Sequence, residues 1–395
     1  MDSRAVFLTG SSGFVGMELL ARYLANSERT IYALIRARDD EEAAQRLRHA
    51  ARTVLPDADR HAERLVAVRG DVTQPDLGLD AACRERLADE VSEVVHSAAS
   101  VSFNLPLDKA RAINLDGTRR LLDFAELCRG LDRFAHVSTA YVAGKHRGHF
   151  SEGDLDRGQR FNNTYEQSKW EAEHEVRSRF DRLPVTVFRP SIVVGEADSG
   201  WTPAFNVVYG PLRAYSRGSL TAIPGRRRAP ADVVPVNYVA DAIYELSSRP
   251  EAVGRTYALA AGPDASSIGD LIDMSAKAFG RRRAIALRPS LYKRTVHPLM
   301  LRRGGEKRRR TLRRTEVYFP YFDVRAKFDT SAATEALAPA GIEVPPLGGY
   351  FDNLVHFAEA ADWGRRPLSR VQARKTVDSR PPTERPLPRL QPLRA

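Results

Sequence analysis

Sulfur is scarce in this 395-residue chain: it has two cysteines, Cys83 and Cys128, and neither has metal-ligand spacing around it. That argues against both a disulfide framework and a zinc site, and it points to a reducing compartment. No secretory leader is expected either, since Met1-Asp2-Ser3-Arg4 passes straight into the apolar run 5–9 with no charged-then-apolar prelude. No stretch approaches the ~18 consecutive apolar residues that a spanning helix needs. Internal repeats are also lacking. The expectation is a cytoplasmic protein without a bound metal, with peripheral attachment to a membrane left open.

The charge distribution argues against a nucleic-acid-binding body despite a net charge of +11. Residues 281–314 hold 14 Lys/Arg against one acid, Glu306, and residues 365–395 hold nine against two, so the rest of the chain is acidic. A nucleic-acid binder carries its basic stripe on the fold itself, so no nucleic acid is expected as a partner. Because 53 of the 61 basic residues are arginine, the two runs have two readings. They are either the solvated surface of an arginine-rich chain or docking patches for an acidic partner. That partner would be a phosphate-bearing ligand, an acidic carrier protein or, through Arg281 to Arg314, an anionic membrane surface.

What is present is a strand-helix rhythm. Strands are expected at 5–9, 30–35, 65–69, 91–96, 133–138 and 185–189, with helices at 14–26, 40–54, 105–129 and 165–182. Val/Ile/Leu-rich strands with little alternation suit a sheet buried on both faces, and repeated strand-helix units make it doubly wound and parallel. After Pro190 the rhythm breaks into a Gly/Pro/aromatic stretch at 199–230. Strand and helix return at 232–260 and 268–279, and a last amphipathic helix is expected at 350–363. The fold class is α/β: a Rossmann-like doubly wound parallel sheet with a smaller C-terminal substrate-binding lobe. The expected division is 1–195 for the nucleotide domain, 196–364 for the lobe with returning sheet elements near 232–260, and 365–395 for a disordered basic tail.

The first strand runs into Thr9-Gly10-Ser11-Ser12-Gly13-Phe14-Val15-Gly16. Glycines here allow a tight turn, close backbone approach to a pyrophosphate, and a helix packed near its strand. The helix N-terminus adds free N–H groups and a positive dipole. The second strand ends in Arg36-Ala37-Arg38, where a carboxylate would favour NAD. Guanidinium suits a 2′-phosphate instead, so NADPH is the expected cofactor. Asp71, after the third strand, fits an adenine contact or a simple turn.

The fifth strand ends in Val137-Ser138-Thr139-Ala140, and Tyr165 and Lys169 follow on a helix. At i,i+4 the pair shares one helical face. Such a lysine would lower a phenol's pKa from its unperturbed ~10, and a strand-end hydroxyl such as Thr139 would hold a substrate carbonyl. Ser138 is a backup for that role.

The glycine pattern, the strand-end hydroxyl and Tyr-x-x-x-Lys, in this order, resemble extended short-chain dehydrogenases/reductases. Gly70-Asp71-Val72-Thr73-Gln74-Pro75-Asp76-Leu77-Gly78-Leu79 resembles the loop of the thioester reductase and fatty acyl-CoA reductase branch. That branch includes the terminal reductase domains of carboxylic acid reductases and nonribosomal peptide synthetases. The segments from Val95 through Ser97, Ala98 and Ala99 to Phe103, from Asn114 to Thr118, and from His136 to Val142 are similar to the same branch. Arg189-Pro190-Ser191-Ile192-Val193-Val194-Gly195 is similar to its segment beside the nicotinamide. The resemblance implies Thr139, Tyr165 and Lys169 as the active triad, with Asn114 supporting the lysine. It also implies cofactor contacts from Thr9 to Gly16 and from Arg36, Arg38, Asp71, Val72, Ser97, Ala98, Ala99, Asn114, Tyr165, Lys169, Pro190, Ser191 and Ile192. The implied reaction is NADPH-dependent reduction of an acyl thioester, on CoA or a phosphopantetheine carrier protein, to an aldehyde or on to the alcohol. Residues 201–223 would line an acyl channel or form ordinary core. Two other readings stand beside this one: an extended reductase or epimerase acting on a nucleotide sugar, sterol or free aldehyde, and a non-catalytic NADP-sensing scaffold.

Overall fold

The runs AVFLT and IYALI are buried at every position, and strands buried on both faces need helices on either side. The computed structural model describes residues 4–378 apart from 206, 304, 307, 308, 311, 312, 314 and 315. Its central sheet has seven parallel strands: β1 (Ala5–Thr9), β2 (Ile31–Ile35), β3 (Leu65–Arg69), β4 (Val91–His96), β5 (Arg133–Val137), β6 (Val185–Pro190) and β7 (Thr256–Leu259). They lie in the order β7-β6-β5-β4-β1-β2-β3. Strand order reverses at β1, and in such sheets ligands gather there, outside the strands' carboxyl ends.

The helices that matter are α1 (Phe14–Asn26), α2 (Asp40–Val54), α3 (Ala81–Glu90), α4 (Leu107–Asn114), α5 (Asp116–Leu127) and α6 (Thr164–Arg177). Asp39 caps α2 by accepting the Glu42 N–H at 2.8 Å, and Asn163 caps α6 by accepting that of Glu166 at 3.0 Å. The single helix expected over 105–129 is two. At the break the Thr118 hydroxyl donates to the Asn114 carbonyl at 2.6 Å, an i−4 back-bond of the kind that bends helices. Helix α3 was not foreseen, because it buries only Leu87 and Ala88 and shows almost no apolar stripe. Behind the strands, Phe7, Val94, Leu121, Leu122, Phe134 and Val187 form a core without exposure.

The chain divides into two compact units. The first is 1–191 with Tyr238–Ala260 and Phe328–Glu343; the second is Ile192–Asn237, Ala261–Lys327 and the chain from Val344 onward. The second segment to return, Phe328–Glu343, was not anticipated. It is held by the buried carboxylate of Glu152, which accepts the N–H groups of Ala332 and Ala333 at 2.8 and 3.1 Å and that of Ala258 at 2.7 Å. This caps the helix Ser331–Leu337.

The second unit is held by side chains more than by sheet. Tyr209, Leu212, Tyr350, Phe351, Leu354 and Val355 make one buried cluster. Trp201 is buried under the Arg370 guanidinium, 4.9 Å from the ring centroid, and donates to the Leu368 carbonyl at 3.1 Å. Trp201, Tyr209 and Leu212 are thus core. The disordered tail expected from 365 is corrected in part, since Arg370–Asp378 is helical. Ala373 and Val377, four apart, are buried there, and Arg370 pairs with Glu196 at 2.7 Å. Residues 379–395 lie outside the described residues. In the basic stretch, Pro289–Arg294 and Val296–Arg303 are helical. Among the described residues no helix is long and apolar enough to cross a membrane.

Candidate active site

The site is built from strand ends of the first unit. At the end of β1, Gly10 has φ +76°, and a Cβ there would lie 2.6 Å from the Ala98 nitrogen. A Cβ on Gly16 would sit 2.0 Å from the Gly10 carbonyl oxygen, so the first turn of α1 packs directly onto the loop. Both positions demand glycine. Gly13 is the N-cap of α1 and brings no side chain to it, which leaves first-turn N–H groups for an anion. The Ser11 hydroxyl is buried without a hydrogen-bond partner among the described residues, while Ser12 is exposed and Phe14 and Val15 are half-buried. An uncapped helix start beside an orphaned hydroxyl fits a pyrophosphate.

The two arginines beyond β2 differ. Arg38 is tied to Glu42, Nε to Oε2 at 2.9 Å. Arg36 is exposed, and among the described residues it has no carboxylate partner. Beyond β3, one carboxylate oxygen of Asp71 accepts both the amide and the hydroxyl of Thr73 at 2.9 Å, so this side chain shapes its own turn. Val72 is buried against Gly117. Ser97, Ala98 and Ala99 run beside the glycine turn; Ser97 N–H donates to the Thr9 carbonyl, and Ala98 N–H to its hydroxyl, at 3.3 Å each.

Beyond β5 the Thr139 hydroxyl reaches the Tyr165 phenol, while Lys169 reaches the last carbonyl of the strand. Thr139 accepts the Tyr141 N–H and donates to the Pro190 carbonyl. Burial pushes the Tyr165 phenol up to about 12 against the opposing pull of the Thr139 hydroxyl. Lys169 is buried, which brings its ammonium down to about 8 despite the counter-charge of Glu173, and its Nζ donates to the Val137 carbonyl at 2.9 Å. The sequence reading that the lysine lowers the phenol is therefore corrected: Thr139 and Glu166 are the side chains that act on Tyr165. The Phe103 ring stands 5.7 Å from that of Tyr165. Ser138 donates to Glu173 at 2.6 Å, which occupies the proposed backup hydroxyl.

Asn114 bonds Ser100 through both its amide groups and donates to the Ser168 hydroxyl at 2.9 Å, one residue before the lysine. The Ser191 hydroxyl is buried without a partner among the described residues, and Ile192 belongs to the second unit, where it pairs with Val233. Sequence reasoning gave no role to Glu173, which forms a fully buried ion pair with Arg189 at 2.7 Å. The signal was there: Tyr165, Lys169 and Glu173 follow one another at four-residue steps.

Set against known proteins, residues 8–243 match a family of NAD-binding domains described as Male sterility protein. The chain belongs to this family. Human fatty acyl-CoA reductase 1 is 31% identical over 278 residues, 60% of this chain and 53% of that protein. A linear gramicidin synthase component of Brevibacillus parabrevis is 29% identical over 283 residues, 68% of this chain but 5% of that one. The chain thus spans about half the length of the fatty acyl-CoA reductases it matches. The terminal R domain from the myxalamid PKS-NRPS biosynthetic pathway superimposes with a TM-score of 0.81, at 28% identity and 93% coverage of each chain. The Male sterility family carries the extended short-chain dehydrogenase/reductase fold and a nicotinamide cofactor, and its fatty acyl-CoA and peptide-synthetase reductases are homologues of this protein.

Proposed function

We propose that the protein reduces an acyl thioester, on CoA or a carrier protein, with NADPH. The observation that supports this reading is the Thr139 hydroxyl beside the Tyr165 phenol, with Lys169 bonded to the last carbonyl of β5, in a chain related to thioester-reducing enzymes. NADPH would be held by the glycine turn, the Ser11 and Ser191 hydroxyls and Arg36, which is the arginine left for a 2′-phosphate because Arg38 is paired. When bound, it supplies hydride. The Thr139 and Tyr165 hydroxyls would stabilise the oxyanion that develops at the thioester carbonyl. Tyr165, fully protonated at neutral pH, would deliver the proton. Lys169 would hold the nicotinamide ribose, with its helix anchored through Ser168 and Asn114. The hemithioacetal then loses its thiol to leave an aldehyde, which a second round would take to the alcohol.

The exposed Arg282, Arg288, Lys293 and Arg294 of the second unit support docking of an anionic partner, such as the phosphates of CoA, an acidic carrier protein or an anionic membrane surface. The test is NADPH oxidation coupled to thiol release, with fatty acyl-CoA and acyl-carrier substrates across chain lengths. Stoichiometric thiol is the expected result. Turnover of a nucleotide sugar, sterol or free aldehyde without thiol release would replace the proposal with the other reductase reading, and no turnover at all would favour the scaffold.

A further inference from the structure

His96, the last residue of β4, stands at the centre of a buried hydrogen-bond chain. Its Nδ1 lies 2.8 Å from the Thr9 hydroxyl, and its Nε2 lies 3.0 Å from that of Thr118. The direction of every bond can be worked out. Thr118 Oγ1 is 2.6 Å from the Asn114 carbonyl oxygen, so its one proton points there and its oxygen must accept from His96. Nε2 therefore carries a hydrogen. Thr9 Oγ1 accepts the Ala98 N–H and turns its own proton to Nδ1, which must be bare. A proton on Nδ1 would leave the Thr9 hydroxyl proton without an acceptor. It would also place a second charge beside Lys169, with the fully buried His136 ring 5.4 Å away. Burial and Lys169 together hold the imidazole down to about 3.

The two ends of the chain reach the two halves of the site. Thr9 opens the glycine turn and, through Ala98, joins it to the segment beyond β4. Thr118 fixes the end of α4, whose Asn114 donates to the Ser168 hydroxyl, and that hydroxyl donates to the Tyr165 carbonyl at 3.1 Å. We propose that His96, held as the neutral Nε2–H tautomer, is a positioning residue that fixes the nucleotide-binding turn with one ring nitrogen and the Tyr165–Lys169 helix with the other. This rests on the reductase reading above. No proton leaves or reaches the substrate through it.

The two functions are separable by substitution. In His96→Asn the side-chain carbonyl can still accept from Thr9, but nothing reaches Thr118. In His96→Gln the amide can still donate to Thr118, but the acceptor for Thr9 is lost. Loss of one buried hydrogen bond leaves its partner unsatisfied. The expected result is a rise of about tenfold in the NADPH Kd and KM for His96→Gln with kcat within about threefold, and the converse split for His96→Asn. Equal effects of both variants on KM and kcat would overturn the proposal. A second measurement needs no variant to fold. Nitrogen-15 NMR of histidine-labelled wild-type protein at pH 7 should show the His96 ring, identified among the nine histidines by its couplings to the Thr9 and Thr118 hydroxyls, as neutral with Nε2 protonated and Nδ1 bare. An Nδ1–H or cationic His96 would overturn it. NADPH binding requires no acyl substrate, so a wild type that binds the nucleotide yet releases no thiol removes the thioester reading and leaves the His96 test standing. The kcat comparison is then made with whichever substrate the wild type turns over.

Discussion

In the first unit Lys169, Glu173, Arg189 and His96 are each at most 2% exposed. In the second, the buried clusters are built from Tyr209, Leu212, Tyr350, Phe351 and Leu354, while Arg281, Arg282, Arg283 and Arg288 lie outside. The second unit does bury the Glu196–Arg370 pair, which anchors the C-terminal helix to Trp201. A buried polar network is worth keeping only when its members are satisfied, and it then fixes a single geometry. An apolar cluster tolerates volume-conserving exchange. The contrast locates the demand for fixed geometry in the sheet unit, where side chains must meet to within tenths of an ångström.

The largest effect should come from Tyr165→Phe. A proton donor of this type contributes about 10²- to 10⁴-fold, so kcat should fall by that order while NADPH affinity holds, as titrated by nucleotide fluorescence. Unchanged turnover would remove Tyr165 as the donor. Next comes Glu173→Gln, which leaves the Arg189 guanidinium buried without its counter-charge. Breaking such a pair costs about 3–5 kcal/mol, read as a drop in denaturant midpoint. The same change removes the charge that raises the Lys169 pKa. Activity that needs a charged Lys169 is lost as pH rises through about 8 in the wild type, and this limb should move to lower pH in the variant. For stability the sign is opposite to activity. A lysine whose folded pKa lies below its unfolded value destabilises the fold when protonated, so its contribution improves as pH rises from about 8 towards 10.5. An alkaline limb that stays put would show that Lys169 does not set it.

The second unit should respond differently. Leu354, 1% exposed, sits in the middle of its cluster. Leu354→Ala should cost about 2–5 kcal/mol, and Leu354→Met under about 1.5. In the sheet unit a conservative change such as Glu173→Gln should cost nearly as much as Glu173→Ala. If Leu354→Met proves as damaging as Leu354→Ala, the contrast between the two units fails.

Much of the first unit was legible because its signals are local. The apolar strands, the glycine turn at Gly10 and the four-residue step from Tyr165 to Lys169 each follow from neighbouring residues. What sequence could not give are the partnerships made between segments far apart in the chain: Glu173 with Arg189, Asn114 with Ser168, and Glu152 with the helix at Ser331–Leu337. These depend on how helices, loops and strands pack together, which no local pattern states. The sign of the Tyr165 shift was misjudged for the same reason, since spacing placed the lysine on the right face but burial decided the pKa. In the second unit, the aromatic run at 201–223 reads equally as channel or core; Trp201 packs under Arg370, whereas Phe205 and Val208 are only half-buried. The helix at Arg370–Asp378 was missed because two small buried residues, Ala373 and Val377, make a faint stripe among charges.

The smallest expected effect on stability is the one that sharpens the outer half of the comparison. Arg282, Arg288, Lys293 and Arg294 are exposed, and surface substitutions of this kind change stability by no more than about 0.5 kcal/mol each. A variant with glutamine at all four should therefore melt close to the wild type. If these charges dock an anionic thioester carrier, its KM for acyl-CoA should rise several-fold at low ionic strength. The difference should vanish near 1 M salt, where the screening length is ~3 Å. Equal KM values at low salt would mean that the arginines are solvated surface.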